Sequence, residues 1–389
     1  MKGTILTVIA ALALSGVNMN AQGRQVTVPG GGTLPFSLGV KADGLIYVAG
    51  TLAQEGDIKA QTKSVLDAIG QTLTKSGSSL ANVVSAHVYL KNGADAAAMT
   101  EVWRTVWPKD APTRTTVQAQ LVSPTALVEI AVVAVPNGGE RVVVLPTGWS
   151  TANPYSYAIR TGDTLFMSGV VARDPKTNTP VEGDAATQTK AVMATAGELL
   201  KAAGYGFEHV VSSRVYITDN ADFQAMNQNY TPSFPKDPPA RATVVTPLPG
   251  PTYKVEMTFT AHRAAKQAIT TPAADGTPGK PSATLSSAIR VGNRLYVSGI
   301  LGNNAETKGD MTGQTKELLA RVERTMKVAG FGWGDVVDAI AYITDISKFN
   351  DMNTGYRTIF TKDFPTRATV GTGLVGADGL VEIMFVASK

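Results

Sequence analysis

Three arginines and three glutamates recur in register along the chain. Arg114, Arg241 and Arg367 each sit in a Pro-X-Arg-X-Thr-Val string, 127 and then 126 residues apart, and Glu129, Glu256 and Glu382 follow them by 15. A guanidinium presents a planar fork that grips a carboxylate through two hydrogen bonds, and it stays charged at any working pH. Each Glu lies in an apolar run such as Val128-Glu-Ile-Ala-Val-Val133, where a carboxylate is costly to desolvate unless it is paired or protonated. Side chains alternate along strands. An Arg–Glu separation of 15 across an even-residue hairpin loop therefore predicts both groups on one face, with Thr116, Thr243 and Thr369 beside them. In a site, the Arg would anchor an acid group while the Glu orients a water and shuttles protons. The competing reading is a buried ion pair that only stitches the hairpin.

Composition removes many other chemistries. The 389 residues include no Cys, which excludes disulfides, thiolate nucleophiles, iron–sulfur clusters and thiolate zinc sites. The three histidines, His87, His209 and His262, occupy unmatched places in their repeats. A symmetric His triad or metal site is therefore not expected, and no metal or organic cofactor is assigned. The formal charge of +4 comes with no run of four basic residues, so neither nucleic acid nor a membrane surface is an expected partner.

The elements that must position the Arg and Glu repeat with them. The same steps of 127 and 126 carry Gln61 to Gln188 and Gln314, Gly77 to Gly204 and Gly330, and Tyr89 to Tyr216 and Tyr342. Leu45-Ile-Tyr-Val-Ala, Leu165-Phe-Met-Ser and Leu295-Tyr-Val-Ser predict strands closed by Gly. Leu318, Val322, Met326 and Ala329 predict a helix stopped by Gly330, and Val336 to Ile343 the next strand. A second helix carries Phe349, Met352, Tyr356 and Phe360, Pro365 breaks it, and a hairpin is expected from Arg367 to Val386. The order is α+β, with two helices packed on one face of a mixed sheet. Expected units are residues 24–136, 140–265 and 281–389, with linkers at Pro136–Glu140 and Thr270–Pro281.

The first 21 residues predict an export signal. Lys2 precedes an apolar stretch from Thr4 to Leu14, too short to span a bilayer and followed by polar Ser15 to Gln22, which predicts a periplasmic or secreted protein.

Asn153-Pro-Tyr155-Ser-Tyr, the Ser-Gly strand ends, Met226-Asn-Gln-Asn-Tyr230, Met352-Asn-Thr-Gly-Tyr356, the Pro-X-Arg and the Val-Glu-Ile/Met strings together resemble the Rid (reactive intermediate deaminase, YjgF) family, three times over residues 24–389. The resemblance implies a chorismate-mutase-like fold, a trimer with pockets between neighbours, and hydrolysis of enamines and imines derived from amino acids to a 2-oxo acid and ammonia. Three copies on one chain imply an intramolecular pseudo-trimer. An imine carbon is already electrophilic, which is why no cofactor is needed.

Carried over residue by residue, the resemblance makes Glu256, Glu382 and Glu129 catalytic. It gives substrate binding to Arg241, Arg367, Arg114, Tyr155, Ser168, Ser298, Gly169, Gly299, Asn227, Asn353, Thr243 and Thr369. The copies differ. Leu285 stands where the second copy has Tyr155, and the first copy has Phe36, Ala49, Thr100 and Trp103 at matching positions. The family's frequent Cys two residues after the Arg is Thr throughout, and its Gln after Ser-Gly is Thr51, Val170 or Ile300. A second expectation is an exported, non-catalytic binder of small carboxylates, and a third is a protein-interaction scaffold.

Overall fold

A computed structural model describes residues 23–31, 34–250 and 252–389; the expected export signal lies outside them. Each third of the chain folds the same way. The first unit runs β1 (Gln25–Val28), β2 (Gly39–Ala42), β3 (Leu45–Leu52), α1 (Ile58–Lys75), β4 (Val83–Leu90), α2 (Ala96–Val106), β5 (Thr113–Gln118), β6 (Gln120–Leu121) and β7 (Val128–Ala134). The second runs β8 (Val142–Val144), β9 (Ala158–Thr161), β10 (Thr164–Met167), β11 (Val170–Val171), α3 (Ala185–Ala202), β12 (Val210–Ile217), α4 (Phe223–Tyr230), β13 (Ala240–Val245) and β14 (Val255–His262). The third runs β15 (Lys266–Ile269), β16 (Ala288–Val291), β17 (Arg294–Leu301), α5 (Met311–Ala329), β18 (Val336–Ile343), α6 (Phe349–Tyr356), β19 (Thr366–Gly371), β20 (Gly373–Leu374) and β21 (Val381–Ser388). The third unit thus begins at Lys266 rather than 281, because β15 pairs with β16 and the Pro/Gly-rich stretch is a loop between them.

Helix limits follow local chemistry. Asp57 and Asp184 accept the amides of Ala60 and Thr187 at the first turns of α1 and α3, and α5 ends where Gly330 takes φ of 77°. Leu318, Val322 and Met326 line the buried stripe of α5 against the third sheet. Among the described residues no helix is long and apolar enough to cross a membrane.

The expected hairpin between the Arg and Glu strands does not form. In the first sheet the order is β1-β2-β3-β7-β4-β5, so β4 lies between the Arg strand and the Glu strand. β4 pairs with β5 in parallel and with β7 antiparallel, and the third sheet repeats this with β18, β19 and β21. The register explains where the side chains go. Arg114 lies opposite Ala86, whereas Glu129 lies opposite Tyr89, three residues further along β4. Directly opposed residues share a face and odd steps change it, so Arg and Glu of one unit point to opposite faces. The Arg faces its helices, and the Glu faces the neighbouring unit.

The units close into a ring. The amide of Gln118 donates to the Pro247 carbonyl, Val244 and Val245 pair with Leu374 and Gly373, and Val370 and Gly371 pair with Leu121 and Gln120. β20 of the third unit thereby extends the second sheet and β6 of the first unit extends the third, while a backbone bond to Pro247, just past β13, ties the first unit to the second. Inside the ring, Tyr89, Tyr216 and Tyr342 are fully buried, with the last two hydroxyls 3.3 Å apart. A cavity of about 70 Å³ lies among the three sheets, lined in part by His87, Arg214 and Asp338. His87, Arg214 and Ile340 occupy equivalent strand positions, as do Ser85, Ser212 and Asp338. Burial pushes Asp338 up to about 6 although the Thr366 hydroxyl and Arg214 work against it, and burial holds His87 neutral.

The repeated glutamine has a structural task that its place at a helix start did not reveal. Gln61, Gln188 and Gln314 are buried, and each carboxamide donates to the loop before the Glu strand, at Thr125, Thr252 and Asp378. Each side-chain oxygen accepts the amide of the residue two before the Glu, namely Leu127, Lys254 and Leu380. Replacing Gln314 by Leu would take the side-chain partner from that amide and carbonyl, both only partly shielded from water, a loss of about 1 kcal/mol. A drop in the denaturant midpoint of the Gln314→Leu chain checks this; an unchanged midpoint contradicts it.

Candidate active site at the seams between units

Each Arg meets the Glu of the next unit. At the first seam, Arg114 from β5 lies against β10, β11 and β14 of the second unit. Its backbone amide donates to the Ser168 hydroxyl at 2.8 Å, and that hydroxyl donates to the Ser156 carbonyl at 2.7 Å. The Gly169 amide returns a hydrogen bond to the Arg114 carbonyl at 3.1 Å. The guanidinium carbon lies 5.2 Å from the ring centre of Trp103 and 5.6 Å from that of Tyr155. Facing it is Glu256, which accepts the Thr116 amide, and burial pushes its carboxyl up to about 8 against that bond and the Arg114 charge.

The second seam repeats the plan. The Arg241 amide donates to Ser298 at 2.8 Å, and Ser298 donates to the Ser286 carbonyl at 2.5 Å. Tyr230 lies under the guanidinium at 4.8 Å. Glu382 faces it, accepting the Thr243 amide, with its carboxyl pushed up to about 8 by burial against Arg241. At the third seam Arg367 of the last unit faces Glu129 of the first, so the chain's ends supply one site together. Ala49 replaces the serine there, and the Ser37 amide donates to Pro365 across the seam. Arg367 donates to Asn353 Oδ1 at 2.7 Å and is ringed by Tyr356, Phe36 and Phe349 at 4.5, 5.6 and 5.7 Å. Burial pushes the Glu129 carboxyl up to about 8, although the Thr369 amide and Arg367 pull it down.

The glycine after each Ser or Ala is what admits the carboxyl. A Cβ on Gly169, Gly299 or Gly50 would fall 1.8, 1.8 or 1.9 Å from an oxygen of Glu256, Glu382 or Glu129. No side chain larger than hydrogen fits.

The predicted site residues are therefore brought together, but between copies rather than within one. Among the described residues no Arg–Glu pair at these seams comes within 4.0 Å, which separates them from a stitching ion pair. The buried atoms Arg241 Nε and Nη1, Asn227 Oδ1, Glu129 Oε2, Arg114 Nε, Arg367 Nε and the Thr116 and Thr243 hydroxyls lack hydrogen-bond partners. Such groups are costly to bury empty-handed and are what a small polar ligand would satisfy. The serines act first through the backbone, fixing the Arg strand. His209 and His262 accept nearby amides through Nδ1 and stand apart from the seams. Among the described residues no group of three or more His, Asp or Glu is arranged to hold a metal ion.

A carboxyl raised to about 8 in the fold, from the 4.5 ordinary for a solvated glutamate, binds its proton more tightly when folded. Its contribution to stability is present below 4.5 and lost as pH rises through about 8. Relative to Glu256→Gln, the unaltered chain should lose on the order of a few kcal/mol of unfolding free energy across that window. Denaturant unfolding of both chains at stepped pH measures this, and a difference that grows in the opposite direction contradicts it.

The family model described as Endoribonuclease L-PSP matches three times, over residues 32–136, 147–263 and 277–389. A RutC family protein of Sulfurisphaera tokodaii is 39% identical over 114 residues, 28% of this chain and 91% of the relative. Another, of Saccharolobus solfataricus, is 44% identical over 97 residues, 25% of this chain and 77% of the relative. A solved chorismatase shares the fold with a TM-score of 0.54 at 17% identity, spanning 79% of this chain and 93% of its own.

Proposed function

The chain belongs to the Endoribonuclease L-PSP family, the Rid/YjgF proteins, in three tandem copies, and from that premise we propose that it hydrolyses small imines and enamines bearing a carboxylate. Membership by itself supports a deaminase or endoribonuclease-like role in general terms. The finer reading rests on one observation: a buried carboxyl that is largely protonated at neutral pH faces a guanidinium with unused donors. That pair fits a small anionic substrate inside a seam. A nuclease would need its cations along a surface that tracks a phosphate backbone, whereas Arg241 and Arg367 are only 2% and 1% exposed.

The geometry supports the following course. Arg241 holds the substrate carboxylate by its fork. The Glu382 carboxyl gives its proton to the imine nitrogen, which makes C2 more electrophilic. The resulting carboxylate takes a proton from water as the water oxygen bonds to C2, forming a carbinolamine. Glu382 then protonates the amine nitrogen, accepts the C2 hydroxyl proton, and the C–N bond breaks to release ammonia and a 2-oxo acid. Water is the only co-reactant and the carboxyl returns protonated. The Thr243 hydroxyl, unpartnered beside it, can hold the water. For an enamine, the first proton goes to the β-carbon instead.

Export is part of this proposal and rests on the signal-like stretch at residues 1–21. The binding-protein reading keeps the Arg anchor without turnover. Ammonia release from 2-iminopropanoate, generated in place by an amino-acid oxidase, tests the reading. Turnover should fall on the alkaline side with an apparent pKa of about 8, as the acid loses its proton, and Glu382→Gln should lower it. Saturable binding without ammonia release would establish the carrier instead, and RNA cleavage abolished by Arg241→Ala would overturn the imine reading.

A further inference from the structure

The three seams are built on one plan but are not equally open. At the first, Trp103 and Tyr155 both cover the guanidinium of Arg114, and the cavity behind Tyr155, lined by the second unit alone, measures only about 30 Å³, the room of roughly one or two waters. At the third, rings of Tyr356, Phe36 and Phe349 surround Arg367, and Asn353 already takes one of its protons. At the second, Leu285 stands where the others have Tyr155 and Phe36, and a single ring, Tyr230, lies on Arg241.

Every seam has unsatisfied polar atoms, but only at the second does the guanidinium leave two nitrogens free beside a free Asn oxygen. Arg241 is 2% exposed with Nε and Nη1 both unpartnered, and Asn227, counterpart of Asn353, is 9% exposed with its Oδ1 unpartnered. Asn227 and Leu285 in turn edge an open groove of about 940 Å³ between the second and third units. Its far parts include Pro232, Phe234 and Lys280. Lys236, also in it, is paired with Asp237 at 3.8 Å, whereas Lys280 makes no ion pair among the described residues.

We propose that the seam between the second and third units is the working site, and that its ligand is a 2-imino or 2-oxo acid whose long side chain runs out past Leu285 and ends in an acidic group near Lys280. The inference deepens the imine reading and rests on it for the chemistry, while the choice of seam and the shape of the ligand rest on the groove. The carboxylate at C1 satisfies the free donors of Arg241. The amide of Asn227, with its oxygen unused, accepts from the imine N–H. Leu285 leaves the passage that an aromatic ring would fill.

The test compares imines generated by an amino-acid oxidase from alanine, leucine and glutamate, together with calorimetric binding of pyruvate and 2-oxoglutarate. The expected kcat/KM is highest for the glutamate-derived imine. Leu285→Tyr should lower the glutamate-to-alanine ratio at least tenfold, and Lys280→Glu should lower the glutamate-to-leucine ratio. Arg241→Ala should cost at least ten times more than Arg114→Ala or Arg367→Ala. 2-Oxoglutarate should bind near one per chain, at least tenfold more weakly after Arg241→Ala. Equal losses from the three Arg variants, three binding sites per chain, a preference for the alanine-derived imine or no binding would overturn the proposal. Tight one-to-one binding lost with Arg241 but without ammonia release would sink the hydrolase reading alone and leave this site assignment standing.

Discussion

The constraint on which the rest of the structure depends is ring closure by backbone hydrogen bonds, two of the three links being shared sheet edges. Gln118 with Pro247, Val244 with Leu374, and Val370 with Leu121 each join one unit to the next through backbone bonds. Because those contacts are backbone contacts, they fix the seam to a definite register. The Arg strand of one unit is laid against the Ser-Gly end of the next, and the Thr amide two residues on meets the neighbour's Glu. No unit alone brings its repeated Arg to its repeated Glu.

Burying a carboxyl without an ion-pair partner costs stability, and three such groups recur here. What offsets part of that cost is a single amide from the Thr strand and a distant guanidinium, not enough to keep the acid ionised at neutral pH. The Gln of the long helix holds the strand two residues upstream, so the acid stays where it is placed. A position that works against stability and is held so firmly is what the proposed acid–base role requires.

Much of the fold was legible in the sequence because repetition separates signal from noise. The long helix to Ala329, its Gly330 stop and the strand Val336–Ile343 came directly from periodicity and glycine. The pairing of Arg with Glu did not. A spacing of 15 suggests a hairpin, but nothing local says that β4 inserts between the two strands and reverses the parity of the faces. The start of the third unit was likewise hidden, since Lys266–Ile269 is a short edge strand whose partner lies beyond a long loop. The role of Gln61, Gln188 and Gln314 was invisible for a related reason: a buried amide reads like any polar residue at a helix start until its loop partners are known.

The axis of the ring shows what a covalent linkage makes available. Were three identical subunits to meet there, any residue at the position of Arg214 would appear in triplicate, crowding three like charges into about 70 Å³. With genes fused end to end, one cation, one neutral imidazole and one isoleucine can share the level, while a lone acid sits among two serines. Fusion thus releases the centre from threefold identity, and each seam becomes free to diverge without forcing the same change on its siblings.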